Sequence, residues 1–163
     1  MGKTSALDGI YDATATELYG LALWRTGSPS DAEDAVQTVF VRLAEARERL
    51  SSVREPRSYL LAMVHHAAVN RRRGSFARTL PLPAEPSLLQ CSPSDPGRAL
   101  DARRASSALL GLPAPQREAI FLHHFSGLTF AAIGRATGVP TFTAASRFRN
   151  GIRALRGLMG LSR

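Results

Sequence analysis

Five of the chain's ten prolines, Pro81, Pro83, Pro86, Pro93 and Pro96, fall within sixteen residues. Proline lacks an amide hydrogen and its ring clashes with the preceding turn, so neither a continuous helix nor a central strand can run through that stretch. The chain is therefore expected to form two modules, residues 1–79 and 102–163, joined by a semi-extended, proline-rich linker over 80–101. Neither flank alternates for long as a strand would, and neither repeats at solenoid spacing. Both read as helical, and the expected fold class is all-α. For 163 residues, a 44% apolar share is enough to give two small domains a core.

Hydrophobic spacing places the helices. In the first module a helix over about 7–26 presents Leu18, Leu21, Ala22 and Trp24 and stops at Gly27. A second begins at Ser30, which has capping-box spacing to Glu33, and carries the stripe Val36, Val39, Phe40, Leu43 and Leu50. A third starts at Pro56, a residue suited to the first turn, and runs through Tyr59, Leu60, Met63, Val64 and Ala67 to Arg71, Arg72 and Arg73. In the second module a helix over 102–110 is ended by Pro113-Ala114-Pro115, which opens another through Ile120, Phe121 and Phe125 to a turn at Ser126-Gly127. The remainder has the spacing of a helix-turn-helix: Thr129 as cap, a helix over 130–137, Gly138 at the turn, and a long helix from Thr141 to Leu158. Gly134 is small where the two helices cross.

Charge points to a partner. There are 21 basic against 13 acidic residues, a net charge of +8, and all the basic residues but Lys3 are arginines. The surplus is uneven: residues 1–79 hold 11 basic and 9 acidic side chains, whereas 106–163 hold 7 and 1. Arginine presents a planar donor fork that suits phosphates and guanine edges, and Arg147, Arg149, Arg153 and Arg156 ride on the last helix. A nucleic-acid partner is the leading expectation.

Other classes find little support. The pairs His65-His66 and His123-His124 are sequence neighbours, pointing about 100° apart on a helix, and cannot readily share a metal. Cys91 stands alone, and no His-Glu-x-x-His, glycine-rich phosphate loop or Gly-x-Ser-x-Gly is present. No catalysis, metal or other cofactor is expected. The start, Met1-Gly2-Lys3-Thr4-Ser5, lacks the apolar run of a secretory signal, and no run reaches the ~18–20 apolar residues of a membrane span. A cytoplasmic protein, monomeric when free and not inserted in a membrane, is the expectation.

The run DAEDAVQTVFVRL from Asp31, then EPRSYLLAMVHHAAVNRRR, LPAPQREAIFLHHFSGLTFAAIGRATGVP and TAASRFRNGIRALR, resembles the extracytoplasmic-function sigma factors of the bacterial sigma-70 family. The likeness covers almost everything outside the linker, in the same order and spacing. It implies a factor that binds core RNA polymerase, recognises a promoter and directs transcription initiation. Residues 1–79 would be the region that binds core polymerase and the minus-10 element, and 102–163 the helix-turn-helix region that binds minus-35.

The resemblance also assigns roles. Asp31, Glu33, Asp34 and Gln37 would dock on the clamp helices of the polymerase β′ subunit, with the β subunit as a further contact. His66, Asn70, Arg71, Arg72 and Arg73, with the loop over 50–56, would engage the minus-10 strand. Thr141, Phe142, Ser146, Arg147, Arg149 and Asn150 would contact minus-35. His66 stands where the family commonly has Asn, Ala145 lacks the usual cation, and Asn150 replaces a frequent Arg. An anti-sigma factor is a further partner that the resemblance allows. The alternative reading is a mimic that titrates an anti-sigma factor without initiating transcription, for which the clamp-binding face and Arg71–Arg73 would be superfluous.

Overall fold

The computed structural model describes residues 4–45, 52–74 and 96–161, and among them every regular element is helical. In chain order these are α1 (Thr4–Thr26), α2 (Pro29–Glu45), α3 (Pro56–Gly74), α4 (Pro96–Leu110), α5 (Ala114–Ile120) continuing as a π-helical turn (Phe121–Phe125), α6 (Phe130–Thr137) and α7 (Thr141–Leu158). The expected Leu50 of the α2 stripe and most of the proline-rich stretch, 75–95, lie outside the described residues.

The first module is a three-helix bundle in which α1, α2 and α3 pack pairwise. Leu18, Leu21, Val39, Leu60, Leu61 and Val64 fill its centre, each worth about 1.5–3 kcal/mol on burial. The expected stripe on α2 holds at Val36, Val39 and Leu43, with Phe40 half-buried, and is completed by Ala32 and Ala35, whose small side chains let the helices approach. Two boundaries differ from the sequence expectation. The cap of α2 is Ser28 rather than Ser30: the Ser28 hydroxyl accepts the Asp31 amide at 3.3 Å, and Pro29 takes the first helical position, where its missing N–H costs nothing. For the same reason α4 begins at Pro96, six residues earlier than the linker boundary implied.

In the second module the helix-turn-helix matches its expected limits. Thr129 caps α6 by accepting the Ala132 amide at 3.2 Å, and Gly138 ends it in the left-handed conformation at φ 70°. At Gly134 a Cβ would stand 2.7 Å from the Val139 carbonyl oxygen, so the turn can fold back on α6 only because that carbon is absent. Gly134→Ala is expected to destabilise the second module by about 1–3 kcal/mol, read as a lower denaturant midpoint. Beneath the motif His123 stacks on Phe130 at 4.4 Å, meets the edge of Phe148 at 4.7 Å, and bonds the Leu128 carbonyl at 2.8 Å through Nδ1.

The modules are packed together rather than held apart. α1 lies against α5, and α3 against α6. The π-helical turn, in which the Ser126 amide reaches back to the Phe121 carbonyl, stacks Phe121 and Phe125 at 5.6 Å and turns both onto Trp24 of α1.

Candidate nucleic-acid interface

The long helix α7 has two faces because its sequence has two periods. Ala144 and Gly151 are buried against the rest of the module, with Phe148, Ile152 and Leu155 half-buried beside them. At ~100° per residue the opposite side carries Phe142, Ser146, Arg149 and Arg153 within one stripe. Phe142 is 74% exposed, a large apolar ring in the first turn with no core to join. Asn150 flanks this stripe, donating to the Ser146 hydroxyl and accepting from Arg153, both at 3.4 Å. Thr141 is exposed at the helix start. Arg147 is half-buried and lies roughly 140° around the helix from Phe142, beside the buried face and away from the stripe. Of the expected minus-35 residues, the structure thus brings Phe142, Ser146, Arg149 and Asn150 together at an open surface and adds Arg153, which the sequence reading left out of the set.

On α3, His66 and Asn70 are exposed one turn apart, with Arg71 beside them. The side chains of Arg72 and Arg73 lie outside the described residues. In the segment preceding α3, Ser52, Arg54 and Glu55 are exposed.

On α2 the buried stripe leaves Glu33 and Gln37 exposed and Asp31 and Asp34 half-exposed. The acidic set and the α3 set meet: Arg71 Nη1 donates to Asp34 Oδ2 at 2.5 Å, with roughly two-fifths of each side chain open to solvent. A pair so exposed contributes at most ~1 kcal/mol and yields readily to a better partner.

What joins the modules is a set of contacts between residues far apart in the chain. His65, one of the adjacent pair unsuited to share a metal, is only 6% exposed, and its Nδ1 donates to Oε1 of Glu118. Glu118, 1% exposed, takes Arg25 Nη1 on its other oxygen at 3.0 Å. The neighbouring Arg117 is buried as well: its Nε donates to the Trp24 carbonyl, Nη1 to those of Leu110 and Leu112 at 3.1 and 2.9 Å, and Nη2 to that of Arg25 at 3.4 Å. It therefore satisfies carbonyls at the ends of α1 and α4, which have no helical partner of their own. Arg57 bridges Glu17 and the Ser126 carbonyl, and its hydrogen bond to Glu17 raises the guanidinium pKa further above its ordinary value. One cue was available: Glu118 is the only acidic residue among 106–163, set directly before the apolar run Ala119-Ile120-Phe121-Leu122.

Among the described residues no three His, Cys, Asp or Glu side chains gather as a metal site, and no helix is long and apolar enough to cross a membrane.

Comparison with known proteins finds two family matches along the chain. The family model for sigma-70 region 2 matches residues 10–75, and that for sigma-70 region 4 matches 102–155. The ECF RNA polymerase sigma factor SigK of Mycolicibacterium vanbaalenii is 32% identical, covering 96% of this chain and 83% of that protein. SigL of Mycobacterium tuberculosis is 28% identical, covering 94% of this chain and 89% of that one. In fold the chain is similar to the sigma factor RpoE of Bartonella quintana, solved in complex with the anti-sigma factor NepR. The TM-score is 0.78 and the identity 19%, over 97% of this chain and 99% of that one.

Proposed function

The chain belongs to the extracytoplasmic-function group of the sigma-70 family, and from that premise we propose how its surfaces share the work of promoter recognition. It is a sigma factor, which directs the initiation of transcription by RNA polymerase. The outer stripe of α7 enters the major groove of the minus-35 element. Phe142 meets a thymine methyl, Ser146 and Arg149 read base edges, and Arg153 and Arg147 hold phosphates on either side. α3 attends the melted minus-10 strand: His66 and Asn70 offer hydrogen-bonding groups to an unstacked base, while Arg71, Arg72 and Arg73 hold the backbone. Asp31, Glu33, Asp34 and Gln37 dock on the β′ clamp helices of core polymerase, which explains an acidic face on a basic protein. The domain limits 1–79 and 102–163 belong to the same reading. An anti-sigma factor is a fitting partner, supported by the fold shared with a chain solved in such a complex. The chain itself performs no covalent chemistry; bond formation is left to the polymerase.

The observation that carries this reading is the two-faced α7, whose buried side fixes it in a helix-turn-helix while an arginine-bearing stripe stands open opposite. The docking face is tested with Glu33→Arg combined with Gln37→Ala, a choice that leaves the Asp34–Arg71 pair intact. Affinity for core polymerase is expected to fall at least ~10-fold in a competition assay, while stability stays within ~0.5 kcal/mol, as surface changes usually do. Unchanged affinity would remove the α2 face from the polymerase interface.

A further inference from the structure

The tip of α7 is chemically unlike the rest of its open stripe. Its first five residues, Thr141, Phe142, Thr143, Ala144 and Ala145, hold no charged side chain, whereas Arg149 and Arg153 follow about two and three turns beyond Phe142. Phe142 is the most exposed large apolar side chain among the described residues. The turn that carries it is fixed: the Pro140 carbonyl takes the Thr143 and Ala144 amides at 2.9 and 3.1 Å, and Ala144 is fully buried. The backbone under the ring is therefore held in place.

What such a turn can read is limited by its chemistry. A phenyl ring carries no donor or acceptor for a base edge, and Ala145, one turn on, ends at Cβ. In the major groove the apolar group on a base edge is the C5-methyl of thymine. Cytosine lacks it, and 5-methylcytosine carries the same group on the same carbon. The surroundings favour a duplex over a protein surface as the occupant. Residues 119–163 contain no acidic side chain, and Arg149, Arg153 and Arg156 stand exposed on the same helix, where they complement phosphates along the groove.

We infer that Phe142 makes recognition of the minus-35 element depend on a pyrimidine C5-methyl group: thymine is chosen there for its methyl, and 5-methylcytosine can replace it. The inference rests on the reading of α7 above and deepens it by naming what the first turn recognises. Removing one methyl from water against the ring is worth about fourfold in affinity. Helix geometry also places the position. Phe142 and Arg149 are seven residues apart. That is about 10 Å along the axis at ~1.5 Å per residue, or roughly three base-pair steps of ~3.4 Å when α7 lies along the groove. The methyl-dependent pair therefore lies about three positions from the pair that Arg149 reads. Methylation of a cytosine there would strengthen binding without altering any hydrogen bond between the bases.

The test uses the full chain on core polymerase and a promoter duplex that this assembly enriches from DNA randomised at minus-35. Each thymine of the enriched element, on either strand, is replaced in turn by deoxyuridine, which removes the methyl and nothing else. One such change, about three base pairs from the pair whose preference Arg149→Ala relaxes, should weaken binding about fourfold. With cytosine in place of that thymine, paired to guanine, the 5-methylated base should bind about fourfold tighter than the plain one. In Phe142→Ala, a surface change that leaves the helix-turn-helix folded, both ratios should fall to one. An enriched element with no thymine at that place, or uracil equal to thymine at every position, would overturn the inference. Methyl ratios kept by Phe142→Ala would overturn it by assigning the effect to the shape of the DNA. Unaltered binding of Phe142→Ala to every duplex would overturn it too, and leave the ring to a protein partner. An assembly that enriches no minus-35 sequence at all would instead overturn the reading of α7 on which the inference rests.

Discussion

Replacing Arg117 by alanine should destabilise the folded chain by about 2–4 kcal/mol, because a buried guanidinium that hydrogen-bonds several carbonyls is removed at one stroke. The carbonyls of Trp24 and Arg25 end α1, and those of Leu110 and Leu112 end α4 and begin the next turn. Four residues after Arg25 stands Pro29, which has no amide, and the Ser28 and Gln116 amides donate to the Thr26 hydroxyl and the Pro113 carbonyl instead, so the cation serves as a shared cap for two helix ends, where the helix dipoles also favour positive charge. Arg117→Lys should recover only part of the loss, since an ammonium offers three donors from one point and cannot fork toward acceptors on opposite sides. Denaturant unfolding checks both: a lower midpoint for alanine, an intermediate one for lysine, and helical content retained in each below the transition. Equal midpoints for all three chains would show that solvent replaces these bonds at little cost.

The second large effect concerns what α7 reads. With the chain assembled on core polymerase, Arg149→Ala should cost about 1–3 kcal/mol at one base pair of the minus-35 element and relax the preference there, as loss of a bidentate contact does. Arg153→Ala, one turn further along the same stripe, should weaken all sequences alike and reduce the slope of log affinity against log salt by about 0.9. Binding to every single-base variant of the element at two salt concentrations separates the two. A common loss with unchanged ranking for both variants would assign Arg149 to the phosphates as well.

How much of this was legible in the sequence follows from how local each signal is. Thr129 and Gly138 fix the ends of α6 through contacts within a few residues, the Pro140 carbonyl takes the first amides of α7, and the limits read there agree with the structure. Gly134 was readable for the same reason: its close approach is to Val139, only a turn away. Ser30 looked like a cap because Ser28 and Ser30 both stand beside Pro29, and spacing alone cannot say which hydroxyl the first turn will use. The contact between the modules left only one cue, Glu118 as the lone acidic residue of 106–163. Arg25 and Glu118 are 93 residues apart, His65 and Glu118 53, and no periodicity within one helix reports a partner on another. The acidic residues on α2 and the arginines of α3 were each visible as surface, but their meeting at Asp34 and Arg71 depends on how the two helices cross.

As a sigma factor, this chain makes core polymerase start at a promoter it selects. Run-off transcription with core polymerase and a DNA library randomised at both elements measures that directly. Transcripts are expected to begin at a fixed distance from one selected pair of elements, and to be lost when either element is scrambled and reduced by Arg149→Ala. A chain that binds core polymerase with no start site enriched over polymerase alone would contradict it, and would leave the mimic of a sigma factor as the better description.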